Sequence, residues 1–211
     1  MKKRVLVASL MVLLSVVLFS CGGGGGVGGG AEVFKTVTLT AQSSVNILDS
    51  DVAKHSANCD PVTDVPTYTA DDVEVEIAST LNPGQPSSIT GSAVRLESVK
   101  VKYKPATDTS KPLTEQKYAL STIVPANGSI TVPIRVASQS MKSSIPLSEL
   151  ISQDSTATPP ICLSNGTFSY FVTLEFEGTE IDTDKTATFE TKLTVNFEDF
   201  ADAVAPPPAI K

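Results

Sequence analysis

The chain has 211 residues, 41% hydrophobic and 18% charged, with 16 basic against 23 acidic side chains, three cysteines, one histidine and no tryptophan. A length near 200 suits one domain, or two small ones, burying about two thirds of the surface of the unfolded chain. The acidic balance speaks against attraction to nucleic acid or anionic membrane, and a single histidine, His55, removes most histidine-based metal sites and any histidine-pair mechanism.

Residues 5–19 are apolar apart from Ser9 and Ser15, follow Lys2, Lys3 and Arg4, and lead into Leu18-Phe19-Ser20-Cys21. A basic start, an apolar run and a small residue before the cut make an export signal. The run falls short of the roughly 20 apolar residues a membrane-spanning helix needs, and polyglycine follows it instead of a charged stop. Leu18, Ser20 and Cys21 resemble the lipobox of bacterial lipoprotein signal peptides, with Phe19 bulkier than the residue usual there. The resemblance implies that residues 1–20 are removed and that the mature chain begins at Cys21, lipidated on its sulfur and acylated, for example by palmitate, on its amine. The first implied partner is therefore the lipid bilayer, held stably because two or three acyl chains bind where one binds marginally. The alternative is an ordinary secretory signal with Cys21 a spare thiol. Gly22 stands where inner-membrane lipoproteins commonly carry Asp, so the resemblance favours the outer membrane of a Gram-negative cell envelope. Removal of the signal leaves 13 basic against 23 acidic side chains.

Residues 22–30 are eight glycines and Val27, a flexible coil of about 15 to 18 Å root-mean-square span. Together with Cys21 they form a tether, residues 21–30. No Gly-Lys-Ser or Gly-Lys-Thr closes the run, which excludes a phosphate loop.

Residues 31–202 read as one β domain, with period-two alternation broken by Gly, Pro and Asn clusters. Val33, Val37 and Leu39 share one parity in a first strand, and Val73, Val75 and Ile77 in a second, with Glu74 and Glu76 on the wet face. In the third, Val94 and Leu96 are out of phase with Val99, Val101 and Tyr103, which predicts a β-bulge near Glu97 and Ser98. Tyr118, Leu120 and Val124 form a fourth strand. Pro125-Ala126-Asn127-Gly128 turns it into a fifth with Ile130, Val132, Ile134 and Val136, where Pro133 suits an edge or outward position. Residues 144–152 suggest a short helix capped by Ser144, with Ile145, Leu147, Leu150 and Ile151 apolar. The sixth and seventh strands alternate best, through Phe168, Tyr170, Val172, Leu174 and Phe176, then Phe189, Leu193, Val195 and Phe197, joined by a hairpin loop at 178–185. Residues 203–211, with Pro206, Pro207 and Pro208, read as an extended, disordered tail.

Seven antiparallel strands with two long loops predict an all-β, seven-stranded sandwich. The segment Tyr170-Phe171-Val172-Thr173-Leu174 through Lys192-Leu193-Thr194-Val195-Asn196-Phe197 resembles the closing hairpin of immunoglobulin-like or fibronectin type III-like domains. The run from Val195 to Phe200 is similar to the ends of single-domain bacterial lipoproteins that carry no assigned activity. The chain departs from antibody-type domains in lacking a buried tryptophan and cysteines on the second and sixth strands.

Cys59 and Cys162 fall in the two long connections, and a cysteine pair in an oxidising compartment is most simply a disulfide. In an immunoglobulin-like topology both connections leave at one end, away from the tether, which points to that end as the recognition surface. Two free thiols are the alternative.

No catalytic constellation emerges. His55 lies in a polar loop and is expected to be solvated, and no Gly-x-Ser-x-Gly elbow is present. Glu180, Asp182 and Asp184 put three carboxylates within five residues, and Asp49 and Asp51 form a second cluster; both are expected to be solvated charge rather than calcium ligands. Asn127 and Asn165, each followed by Gly and a hydroxyl residue, are turn signals first. Among the four tyrosines, Tyr103, Tyr118 and Tyr170 are expected inside, leaving only Tyr68 for a sugar platform. The sequence thus predicts no cofactor, no metal and no catalytic residues. Its leading expectation is a non-catalytic, lipid-anchored binding or structural module for an envelope or extracellular protein partner, with an envelope hydrolase or a calcium-dependent adhesin as alternatives.

Overall fold

The structure, a computed structural model, describes residues 32–55, 65–85, 90–154, 156 and 161–200. The expectations for the signal, Cys21, the tether, Cys59 and the tail fall outside the described residues.

In chain order the elements are Glu32–Val33 (β1), Val37–Ser43 (β2), Ile47–Asp51 (β3), Asp71–Leu81 (β4), Val94–Pro105 (β5), Gln116–Val124 (β6) and Ser129–Ala137 (β7). There follow a four-residue helix, Gln139–Lys142 (α1), a 3-10 turn at Leu147–Leu150, and the strands Ile151–Asp154 (β8), Ile161–Ser164 (β9), Phe168–Glu180 (β10) and Thr186–Glu198 (β11). One sheet runs β1-β2-β4-β7, the other β3-β11-β10-β5-β6, while β8 and β9 pair as a separate ribbon. The protein is all-β in architecture. Residues of both sheets meet in one core, because each strand turns alternate side chains to the same side. Tyr170, Val172, Leu174 and Phe176 on β10, and Leu193, Val195 and Phe197 on β11, are all at most 2% exposed. Two aromatic groups mark the ends of this core. Tyr170 contacts Tyr103 and Phe197 edge-on, at 6.4 and 5.8 Å between ring centres, and Phe176 stacks on Phe189 at 5.2 Å.

The predicted bulge is present: the β5–β6 register shifts between Leu96 and Ser98, and the β5–β10 register shifts opposite it, between Glu177 and Gly178. An unpaired residue there lets both parities of β5 face the core. Asn127 takes the left-handed conformation, at φ 53°, in the turn into β7. Pro133 lies outward on β7, an edge strand, where a missing amide hydrogen is tolerated.

Four expectations are corrected. First, the strand count is higher than seven: eight strands of five residues or more are accompanied by the short β1, β8 and β9, and β3 pairs parallel to β11 in an otherwise antiparallel arrangement. Only Leu48 on β3 packs on the core among its apolar residues, while Ile47 is 59% exposed, so alternation carries almost no signal there. Second, the first strand is two. The chain reverses at residues 34–36, with Phe34 N donating to Val37 O, so that Val33 is 54% exposed and Phe34 enters the core at 1%. Third, Ser144 caps no helix. Ser138 accepts from Met141 N at the head of α1, and Pro146, which disfavours helical backbone in the residue before it, separates α1 from the 3-10 turn. Leu147 and Leu150 are buried, but Ile145 is 77% exposed. Fourth, the last hairpin continues through Thr179 opposite Thr186, leaving 181–185 as its loop.

The registers fix two ends. Ser43 lies opposite Val75, Asp71 opposite Ala137, and Phe168 opposite Phe197. The connections from β2 to β4 and from β7 to β10, which contain Cys59 and Cys162, therefore leave from the same end, called distal below. The proximal end carries residues 82–85 and 90–93, the turn at 125–128, the loop at 181–185 and the reversal at 34–36.

Candidate functional site

At the distal end, three lengths of chain that are remote in sequence converge on buried charge. Lys142, at the last position of α1, is 1% exposed, and its ammonium donates to Asp51 O at 2.5 Å and meets Asp71 Oδ2 at 2.8 Å. Ser50 Oγ donates to the same carboxylate oxygen at 2.5 Å. Lys142 thereby joins the start of β4, the end of β3 and α1. A buried ammonium is tolerated only with such a partner set, because leaving either charge alone costs several kcal/mol.

His55 lies beside this knot. It is 8% exposed, and its Nε2 stands 3.4 Å from Asp199 Oδ2, both side chains being fully enclosed. The expectation of a solvated His55 is thus overturned. The polar neighbours in sequence say nothing of the chain end that folds over it: Val52 N donates to Glu198 O and Phe200 N to Asp51 Oδ1, bringing Asp199 against the loop after β3. A histidine beside a carboxylate is the beginning of an acid–base pair.

Next to α1, an open cavity of about 230 Å³ lies between residues 112–116 and 140–146. Its walls include Leu113 and Met141, with Gln116, Ser140 and Ser144 supplying polar groups and Ile145 standing at its rim. No charged side chain lines it. Phe171, on the outer face of β10, is 55% exposed and lies between Lys104 and Thr194 in the ladder.

Of the cysteines, Cys162 sits on β9 with its backbone opposite Gln153, within the distal connection. Cys21, Cys59 and the Cys59–Cys162 pairing lie outside the described residues.

The two carboxylate clusters do not gather. Glu180 is wholly buried and accepts from Lys35 N at 3.2 Å, from Thr36 N at 2.9 Å and from the hydroxyls of Thr36 and Thr183. Burial alone would raise its pKa, but the donors from Thr183, Thr36 and Lys35 outweigh it and hold the carboxyl below the ordinary glutamate range. Asp182 and Asp184 are exposed. Asp49 accepts from Asn196, and Asp51 serves the distal knot as described. Among the described residues, no group of three or more His, Cys, Asp or Glu is placed to hold a metal ion, and no helix is long and apolar enough to cross a membrane.

Tyr170 is buried as expected, its hydroxyl donating to Lys111 O at 2.7 Å and its pKa pushed up to about 12 by burial. Tyr103, half-buried, donates to Val136 O at 2.9 Å and so ties the two sheets together. Tyr118 is half-buried between the edge strands β6 and β7, and Tyr68 is half-buried too. Sequence reasoning missed Lys142, Asp71 and Asp199. One local signal existed for Lys142 alone: it stands one residue after Met141, in the short apolar interruption of a serine-rich run.

Comparison with protein-family models, with curated proteins and with solved structures finds no match to this chain.

Proposed function

We propose that the chain is a lipid-anchored protein of the bacterial cell envelope, whose single β domain acts as a non-catalytic binding or structural module with its distal end as the working surface. The observation that carries this reading is the separation of the two ends. The N-terminal reversal and its contacts lie at the proximal end, whereas both long connections, the Lys142–Asp71 ion pair and the uncharged cavity lie at the other. A lipid on Cys21 then presents the elaborated end away from the bilayer. The strand orders also favour an immunoglobulin-like description of the domain: leaving aside β1, the sheets read β2-β4-β7 and β3-β11-β10-β5-β6, as the A-B-E and G-F-C-C′ sets of such sandwiches do, with β3 as an extra strand beside G. A Cys59–Cys162 disulfide and an outer-membrane location belong to the same proposal.

Mass spectrometry of membrane-extracted protein tests it. A lipidated N-terminal Cys21 supports the proposal, and a water-soluble chain beginning elsewhere overturns it. Non-reducing peptide mapping tests the disulfide, which two alkylatable thiols in native protein would exclude. The His55–Asp199 pair is the observation that favours the rival hydrolase. Activity on a panel of envelope substrates, lost in His55→Ala protein that still folds, would establish that reading instead.

A further inference from the structure

We propose that Glu180 is a clasp that locks the entry point of the tether, making the hairpin β10–β11 the element through which motion or load arriving from the anchor reaches the core. Its mechanical meaning rests on the lipid anchoring proposed above, but the clasp itself does not. The observation is a concentration of contacts on residues 33–38. Glu180 takes the amides of Lys35 and Thr36 and the Thr36 hydroxyl across a separation of 144 to 145 residues. Asn82, from the end of β4, donates its side-chain amide to Phe34 O at 2.8 Å and accepts from Thr38 Oγ1 at 2.6 Å. Its backbone amide donates to Thr36 O. Ser92 N donates to Thr36 Oγ1 at 2.9 Å, and Lys185 Nζ donates to Val33 O at 2.7 Å. Phe34 itself is 1% exposed.

This arrangement answers a geometric problem. β1 is two residues long and pairs only with the outermost part of one sheet, Glu32 lying opposite Leu39 and Val33 opposite Thr38. So short a strand is held weakly by its own ladder. A pull on residue 31 would peel β1 from β2 and then draw β2, whose Val37 and Leu39 are in the core, out of its place. The clasp lies in between. Load reaching Lys35 and Thr36 passes to the Glu180 carboxylate, which sits on a strand thirteen residues long with neighbours on both sides. Charge-assisted hydrogen bonds to an enclosed carboxylate resist more than neutral ones. Thr183, donating to the same carboxylate from the hairpin loop, holds it in position.

Limited trypsin digestion of the full-length protein in membranes tests the clasp, because Lys35 lies within it. Cleavage after Lys35 is read against cleavage after Lys54, an exposed lysine in the connection between β3 and β4 at the other end of the domain. In wild-type protein the Lys35–Thr36 bond should be slow to cut. Glu180→Gln and Glu180→Ala should raise the Lys35-to-Lys54 cleavage ratio by about tenfold or more, as expected for the loss of one hydrogen bond to a charged acceptor. Asp182→Asn, which removes a charge from the same loop outside the clasp, should leave the ratio unchanged. A ratio unchanged in both Glu180 variants overturns the proposal, as does an equal acceleration at both lysines in Glu180→Gln. Recovery is scored separately: wild-type protein absent from the membrane pellet defeats the anchoring, whereas the cleavage ratio reads the clasp in either fraction.

Discussion

The two ends of the domain both bury charge, but they satisfy it differently. At the proximal end, one carboxylate is surrounded by neutral donors: two backbone amides and two threonine hydroxyls. At the distal end, an ammonium meets a carboxylate and a carbonyl. If the carboxylate is lost the neutral donors are left without an acceptor, at about 1 to 3 kcal/mol, which is less than an orphaned charge costs. The ion pair is costlier to break, since removing one partner strands an opposite charge in poor dielectric. The distal end should therefore be the more brittle.

The largest effect is expected from Lys142→Met, which fills the space and deserts Asp71. Ser50 still serves that carboxylate, so a loss of about 3 kcal/mol is expected, seen as a lower urea midpoint with the slope unchanged. Glu180→Ala should cost less, about 2 kcal/mol by the same measurement. A Glu180→Ala loss exceeding that of Lys142→Met would reverse the ranking of the two ends.

Acid sharpens the contrast. The Glu180 carboxyl titrates below its ordinary range in the folded protein, so its contribution is complete above the unfolded value and is lost as pH falls through the folded one. Stability of the wild type should fall across that acid window more steeply than that of Glu180→Gln, the two curves converging at the lowest pH. Parallel curves would remove Glu180 from the acid response. Tyr103→Phe, which deprives Val136 O of its donor between the sheets, should cost about 1 kcal/mol in thermal or chemical melts. The smallest effect belongs to Asp72→Asn. Its pair with Arg135, 3.0 Å long, has both side chains more than 40% exposed, and a change under about 0.5 kcal/mol is expected.

Much of the sheet was legible because burial on one face imprints a period of two. Six of the seven expected strands are present and the first is split in two, and the phase slip in β5 marked its bulge without any knowledge of the partner strands. Pro133 and the Asn127 turn were legible for a related reason: missing donors and left-handed backbone restrict which residues are tolerated. β3 was not legible, because it lies at an edge and buries almost nothing in alternation. The split at residues 34–36 was hidden by parity itself. Val33 and Val37 match in phase, and the groups that hold a reversal between them, Glu180, Asn82 and Ser92, lie 44 to 145 residues away. The helix expected at 144–152 is reduced to the 3-10 turn at Leu147–Leu150, because Pro146 interrupts the helical backbone that the apolar spacing suggests.

The candidate sites divide in the same way. The cysteines could be placed in the two long connections from sequence, and the registers bring those connections to one end. His55 could not be placed, since its burial depends on Asp199 arriving from the far end of the chain. Alternation, turns and export chemistry are local, each set by a residue and its near neighbours, so the sequence alone determined the all-β class, the main strands and the expectation of a lipid anchor. The tertiary structure alone decided which charges are buried, what partners them and where the chain reverses. Those outcomes turn on desolvation and on hydrogen bonds closed across 90 to 150 residues, and no local pattern encodes a partner that distant.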